Sequence, residues 1–424
     1  MTLHGALTII LNIKPGMKPQ LAGKLQAIDN DVNNNSVIPF SKIGSIHFAR
    51  FVLCDGDPTV PGPPILDRLV FTTNYDLPLD SHINDLLQNA GRGLWDIFSM
   101  CDDFISGTYD ADKLAAFLRA NDNKPATFYV GVGNRSVSLI RQENLLRNEV
   151  ETYLDANRNS LANKSATDIR AAIVDHVFSQ PGFEWTKTPE PGATANWELS
   201  RDLKLAGIIL LLLLFSPIVI PFVIIWWLMM WCIEMSEKDV HCPLDYDHIR
   251  PLIERETAIV QTQFSAVGVV KPGWVRYQTM MFLLRMTDFL APYLFTKGRL
   301  SGIPTVHFAR WLIVSEGRQM IFLSNFDGNS EGYLRDFINI AAKQLTLMFT
   351  HTVGYPKTRL MLLGGAKDAK GFMEWARAKQ VITNVWYSAN PGVSVKNIFN
   401  NANIRNGLYG NMSENEARKW LKLL

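Results

Sequence analysis

Apolar and polar positions alternate through ALTIILNI from Ala6 and stop at Lys14-Pro15-Gly16, the pattern of a strand ending in a turn. A helix from about Lys18 is expected next. Strands near 46–54 and 68–74, a helix from about Leu79 and a strand at TFYVGV near Thr127 follow. A comparable order returns late in the chain, with strands near 265–270, 306–314, 319–324 and 384–387. Each stretch reads strand, helix, strand, strand, helix, strand, with a final helix behind it, which is the split βαβ or ferredoxin-like order.

The two stretches also share residues. Ile43-Gly44-Ser45-Ile46-His47-Phe48-Ala49-Arg50 matches Ile303-Pro304-Thr305-Val306-His307-Phe308-Ala309-Arg310, and Lys14-Pro15-Gly16 recurs as Lys271-Pro272-Gly273. Thr73-Asn74-Tyr75-Asp76 parallels Ser324-Asn325-Phe326-Asp327, and DSHINDLL at Asp80 parallels EGYLRDFI at Glu331. Order is kept throughout, so the chain is an internal repeat. The expected division is a first repeat over 1–176, a linker over 177–204 rich in Pro, Gly and Thr, an apolar segment over 205–233, a connection over 234–260 and a second repeat over 261–424.

Between the copies the pattern changes. Residues 205–233 read LAGIILLLLLFSPIVIPFVIIWWLMMWCI without a charge, flanked by Arg201, Asp202 and Lys204 before and Glu234, Glu237 and Lys238 after. That exceeds the roughly 18 apolar residues that mark a bilayer-spanning helix. As one straight helix it would measure about 43 Å, against a hydrocarbon core of about 30 Å. Pro217 and Pro221 remove backbone donors at its middle, so a bent hairpin in one leaflet competes with a tilted helix. The hairpin is favoured, because repeats that share one barrel must lie on one side of the membrane. Trp226, Trp227 and Trp231 are placed as interfacial anchors. A second apolar stretch, 274–295, is interrupted by Arg276, Arg285 and Asp288 and reads as a helix lying in the interface, with a core helix as the other reading.

Composition narrows the field. With 47% hydrophobic and 19% charged residues the chain is too apolar for disorder, and a formal charge of +2 sets nucleic acid aside as a partner. Cys54, Cys101, Cys232 and Cys242 form no CxxC pair, which fits a reducing compartment and domains on the cytoplasmic face. The start of the chain lacks the basic region and cleavage site of a signal peptide.

The tandem arrangement resembles the dimeric α+β barrel superfamily, which includes the dye-decolourising peroxidases and chlorite dismutases. The resemblance implies an α+β fold in which two ferredoxin-like repeats pack sheet against sheet as an intramolecular barrel, with the apolar membrane segment inserted between them. The haem peroxidases of that superfamily carry G-x-x-D-G; here Ser324-Asn325-Phe326-Asp327-Gly328 keeps the Asp-Gly, with Ser324 at the first glycine, and Leu77 follows Asp76 in the other copy. Oxidative chemistry, with haem as cofactor, is what the resemblance suggests, and His351 in FTHTVGYP is the candidate ligand because only one copy needs one. A surface histidine at a helix C-terminus is the plainer account of His351.

In an antiparallel hairpin, His47 should fall near Asn74 and Asp76, and His307 near Asn325 and Asp327. On a regular strand His47 faces with Ala49 and Phe51, while Arg50 faces with Phe48. Read functionally, His47, His307, Asp76 and Asp327 handle protons or a metal, Asn74 and Asn325 donate to substrate, and Arg50 and Arg310 complete the sites. Read structurally, the histidines are satisfied within the sheets and each Asn-x-Asp caps the helix that follows. HCPLDYDH from His241 has zinc-ligand types without zinc spacing, and Gly131-Val132-Gly133 lacks a phosphate-binding context. The functional expectation is a membrane-associated protein that takes a hydrophobic small molecule or membrane lipid into a pocket between its halves, as a peroxidase-like oxidoreductase. The alternative is a non-catalytic lipid-binding or scaffold protein. A homo-oligomer is admitted by either.

Overall fold

The computed structural model describes residues 3–189, 195–240, 242–256, 260–294, 300 and 302–424. Among the sequence expectations, the side chain of Arg201, the linker residues 190–194, His241, residues 257–259 and Phe295 lie outside the described residues. The chain is α+β with antiparallel sheets and divides into two compact units, Met1–Ile140 with Lys238–Lys396, and Arg141–Glu237 with Asn397–Leu424.

The first unit holds the strands β1 (His4–Asn12), β2 (Ile46–Cys54), β3 (Arg68–Asp76), β4 (Thr127–Val130), β5 (Gln261–Val269), β6 (Val306–Val314) and β7 (Gln319–Asp327). A short hairpin, β8 (Thr358–Arg359) and β9 (Leu363–Gly364), and a last strand, β10 (Thr383–Ser388), complete the set. One sheet runs β1-β3-β2-β10 and the other β4-β6-β7-β5. Reading along the chain predicts that each copy closes its own sheet. Instead each sheet takes its fourth strand from the other copy, β10 pairing with β2 and β4 with β6. Period-two alternation decides which face of a strand is buried but not which open edge it joins, and both copies leave the same edge open.

Outer faces are covered by helices. Leu21, Leu25 and Ile28 of α1 (Lys18–Asn30) and Ile83, Leu86 and Leu94 of α2 (Leu79–Phe98) share a buried cluster with Leu7, Ile9, Ala49, Phe51, Phe71 and Val385 of the first sheet. Helix α3 (Ala111–Ala120) adds Leu114 and Leu118. Further along the same unit, α9 (Tyr246–Arg255) precedes β5, and α10 (Trp274–Leu294), α11 (Ser330–Phe349) and α12 (Ala369–Lys379) cover the second sheet. Met280 and Leu284 of α10 join Trp311, Phe322, Phe337, Phe349 and Trp375 there. Each fully buried side chain of this kind contributes about 1.5–3 kcal/mol. Helix α10 is thus a core helix on one face, while Trp274, Phe282 and Phe289 stay exposed on it. The inner faces meet in a further cluster, with Val52, Cys54 and Val70 of the first sheet against Leu312, Ile321 and Leu323 of the second.

In the second unit, Leu146 and Val150 of α4 (Val137–Ala156) pack with Ile173 and Val177 of α6 (Ala166–Ser179). A short turn of helix, α5 (Arg158–Leu161), joins those two. The apolar segment forms α7 (Ala195–Leu214) and α8 (Ser216–Ser236), and Ile404 of α13 (Val395–Asn406) and Trp420 of α14 (Glu414–Leu421) close the core. The hairpin expected between α7 and α8 is corrected to a kink. Backbone hydrogen bonds of the helical kind run through the break, from the Phe215 amide to the Leu211 carbonyl and from the Val219 amide to the Phe215 carbonyl, so the chain does not reverse. Pro217 cannot bond the Leu213 carbonyl, and the Ser216 hydroxyl donates to it at 2.7 Å instead.

Candidate functional site

At one end of each sheet a bulge breaks regular alternation. The register of β2 slips between Ile46 and Phe48, making His47 the extra residue, and that of β6 slips between Val306 and Phe308, making His307 the extra one. An inserted residue bends its strand and re-aims the side chains around it. His47 consequently packs 5.3 Å from the Phe308 ring of the other sheet, and His307 packs 5.3 Å from Phe48. Histidine and arginine of one motif therefore both reach toward the opposing sheet, which corrects the expectation that they face opposite ways.

Each histidine holds an aspartate. His47 Nε2 lies 2.8 Å from Asp76 Oδ1, and Asp76 Oδ2 accepts the Val137 amide at 2.9 Å. His307 Nε2 lies 2.7 Å from Asp327 Oδ1, and Asp327 Oδ2 accepts the Val395 amide at 2.8 Å. The first amides of a helix have no partner inside it, so each carboxylate caps a helix and each histidine fixes that carboxylate. The capped helices are not those that directly follow the strands but ones 61 and 68 residues further on.

The copies differ at one position of this arrangement. Across the sheet from Asp76 stands His4, and across from Asp327 stands Gln261. Gln261 is fully used: its Nε2 donates to the carbonyls of Asn390 at 3.1 Å and Val393 at 2.6 Å, and its Oε1 accepts the Ser388 hydroxyl at 2.6 Å. His4 Nε2 sits 2.9 Å from the Arg135 carbonyl and 3.8 Å from Asp76 Oδ1, while its buried Nδ1 has no partner. Burial, and after it the neighbouring His47, lower the His4 imidazole to about 4, so it is neutral at pH 7. Among the described residues His4, His47 and Asp76 form the one group of three with metal-ligand closeness. Sequence reasoning passed over His4 because it lies outside the HFAR motif, although its ten-residue spacing to Lys14 repeats in Gln261 and Lys271.

The arginines act between the sheets. Arg50 Nη1 donates to the Phe264 carbonyl at 3.1 Å and the Ser265 hydroxyl at 2.9 Å, and its Nη2 donates to the Ser324 carbonyl at 2.9 Å and to Asn325 Oδ1. Arg310 Nη1 donates to the Leu7 carbonyl at 3.0 Å and the Thr8 hydroxyl at 2.9 Å, and its Nη2 to the Thr73 carbonyl at 2.9 Å. Asn325 Nδ2 donates to Asn74 Oδ1 at 3.2 Å, and Trp386 Nε1 donates to Asn325 Oδ1 at 3.0 Å. Burial holds both guanidinium groups below their ordinary range, and Arg310 lowers Arg50 further. Arg50, Arg310 and Asn325 are spent on protein groups, whereas Asn74 uses its Oδ1 and leaves a buried Nδ2 without a hydrogen-bond partner.

His351 belongs to neither cluster. Its carbonyl accepts the Lys271 amide just beyond the end of β5, whereas Asp327 pairs with Gln261 at the start of that strand. The imidazole is wholly buried, with Arg276 Nη1 3.5 Å from Nδ1, and is pushed down to about 3 by burial and by the Arg276 charge. The surface reading of His351 is corrected by its burial, and its Nε2 is buried without a hydrogen-bond partner. A haem does not fit these residues. The apolar cavity of about 100 Å³ between α10 and α11 lies below the ~300–1,000 Å³ of a cofactor cleft, and the polar one of about 470 Å³ beside Arg68 and Arg318 is lined by none of the His, Cys, Met or Tyr side chains that hold haem iron. The HCPLDYDH segment is structural in its described part. Asp245 caps α9 through the Asp247 amide at 3.0 Å, and His248 Nε2 sits 2.9 Å from the Gln380 carbonyl. No family model, curated protein or solved structure matches the chain.

Proposed function

We propose that this is a membrane-attached, non-catalytic lipid-binding protein, built from two ferredoxin-like repeats packed as an intramolecular α+β barrel. Helix α8 carries the reading. It is long and apolar enough to span a membrane, yet only 11% of its most apolar window is buried. Ile218, Phe222, Val223, Ile225 and Trp231 all stand exposed on it. A core helix of this composition would be packed on most sides.

Connectivity supports attachment to one leaflet rather than a crossing. Strands from before and after α8 are hydrogen-bonded within both sheets, β10 with β2 and β4 with β6. A single crossing at α8 would require strands of one sheet to form on opposite sides of the bilayer. The reading is of a kinked helix lying in the interface, with the domains on the cytoplasmic face, which the four free cysteines support.

The apolar cavity between α10 and α11 supports lipid as the ligand. Leu283, Leu300, Trp311, Phe337 and Met348 line it, and Thr287 and Gln344 are its polar members. Exposed Phe282 and Phe289 lie on the same helix as its Leu283 and Thr287. The apolar end of an acyl chain, rather than a whole lipid, is what an apolar lining around about 100 Å³ takes. The peroxidase-like alternative draws no support from His351 or from the His-Asp pairs, which cap helices.

Flotation of the full-length protein on phosphatidylcholine vesicles tests the reading. Wild type is expected to float, and Phe222→Asp with Ile225→Asp to stay at the bottom with an unchanged unfolding midpoint. Equal flotation of the two would overturn membrane attachment through α8. Native mass spectrometry should show an acyl lipid retained by wild type and lost in Ala341→Phe, which fills the cavity; retention by both would overturn the ligand assignment.

A further inference from the structure

We propose that His4, His47 and Asp76 bind a first-row divalent cation, zinc(II) foremost, at the end of the first sheet alone. Two imidazoles and one carboxylate are a ligand set that zinc and other first-row metals take. The spacing suits it. Metal bonds of about 2.0–2.1 Å at tetrahedral angles put donor atoms about 3.3 Å apart. The observed separations from Asp76 Oδ1, 2.8 Å to His47 Nε2 and 3.8 Å to His4 Nε2, lie on either side of that value. Each of those two separations differs from it by only about half an ångström, and the three donor atoms all lie within 4.8 Å of one another.

The contrast between the copies argues for a ligand here. At the equivalent place in the second sheet, Gln261 satisfies its amide completely with protein groups. In the first sheet a histidine is buried to 4% exposure, leaves Nδ1 without a partner and brings Nε2 toward a carboxylate already held by another histidine. Nothing about capping Val137 requires His4, because Asp327 caps Val395 without one. Asp76 is oriented for monodentate ligation, since Oδ2 is committed to the Val137 amide and Oδ1 faces the histidines. With 22% of its side chain exposed, Asp76 also marks the way in. Ligation through Nε2 of His4 and of His47 moves each ring proton to Nδ1, replaces the His47–Asp76 hydrogen bond by metal bonds, and leaves the Arg135 carbonyl or a water to complete the shell. Among the described residues the second sheet holds no such set, so the expected stoichiometry is one.

Calorimetric titration of the EDTA-treated, detergent-solubilised full chain with zinc chloride tests this, together with cobalt(II) absorption to report the geometry. One equivalent should bind wild type and His307→Gln alike, with intense visible cobalt bands. His4→Gln, which installs the residue of the second copy, should weaken binding roughly 100-fold or more with the fold intact. If His4→Gln unfolds, Asp76→Asn decides, because it keeps an acceptor for Val137 and removes the anionic ligand. Absence of stoichiometric binding in wild type, or wild-type affinity in a folded His4→Gln or Asp76→Asn, would overturn the site.

Discussion

Arg50 and Arg310 cross between the two sheets in opposite directions, each anchored on carbonyls of the strands that carry the other copy's first and third positions. Neither has a carboxylate within ion-pairing distance among the described residues. Their charge is therefore distributed over carbonyl and hydroxyl oxygens, and planar guanidinium groups suit such forked recognition better than ammonium groups do. Arg50→Lys should lose the fork and cost about 1–3 kcal/mol, and Arg50→Met, which also leaves buried carbonyls unpaired, should cost more. Urea denaturation midpoints check both. If Arg50→Lys matches wild type, the crossing contributes nothing to holding the sheets together.

His82 gives a pH signature. Its Nδ1 lies 2.8 Å from the Ser45 hydroxyl and its Nε2 2.8 Å from the Thr73 hydroxyl, and Tyr75 stacks on it at 4.2 Å. Burial lowers it to about 3. The unfolded chain takes up this proton near pH 6.5 and the folded chain only near pH 3, so stability is complete above pH 6.5 and falls as pH drops between the two. His4 and His351, lowered to about 4 and about 3, act in the same sense. Stability measured against pH should slope downward toward acid over this window, and His82→Gln should flatten the slope. An unchanged slope would mean that folding leaves the His82 imidazole unshifted.

Asp327 should matter locally before it matters globally. Asp327→Asn removes the partner of His307 and weakens the cap on Val395, at a cost of about 1–2 kcal/mol. Hydrogen exchange at the Val395 amide should accelerate while exchange in β7 stays slow. Equal acceleration at both would show that the carboxylate supports the whole sheet.

Gly131 is held by a close approach. Its amide donates to the His307 carbonyl at 2.7 Å, and a Cβ there would lie 1.9 Å from the Val306 carbonyl oxygen. Gly131→Ala should destabilise by about 1–3 kcal/mol through backbone displacement at the bulge. Thermal unfolding would detect it, and a neutral result would show that the bulge yields freely.

Much of this is legible in the sequence. Duplication of His47-Phe48-Ala49-Arg50 in His307-Phe308-Ala309-Arg310 located both sheets, and hairpin geometry brought His47 to Asp76 and His307 to Asp327. The bulges escaped notice because one extra residue leaves the apolar pattern of a short strand almost unchanged. Strand exchange escaped because backbone edges carry no sequence label. His351 was misread because the group that encloses it, Arg276, comes from a separate helix 75 residues away. His4 was missed because its meaning lies in a contrast with Gln261, visible only once both stand opposite their aspartates.

Strand exchange also sets an order of events during synthesis. The edge of β2 waits for β10, which ends at Ser388, and β4 waits for β6, which begins at Val306. Helix α8 ends at Ser236, so this apolar helix leaves the ribosome while the first sheet still lacks β10 and β4 still lacks its whole sheet. A chain halted before Thr383 would present the bare rim of β2 to any neighbour, and should be recovered as aggregate rather than as a stable half.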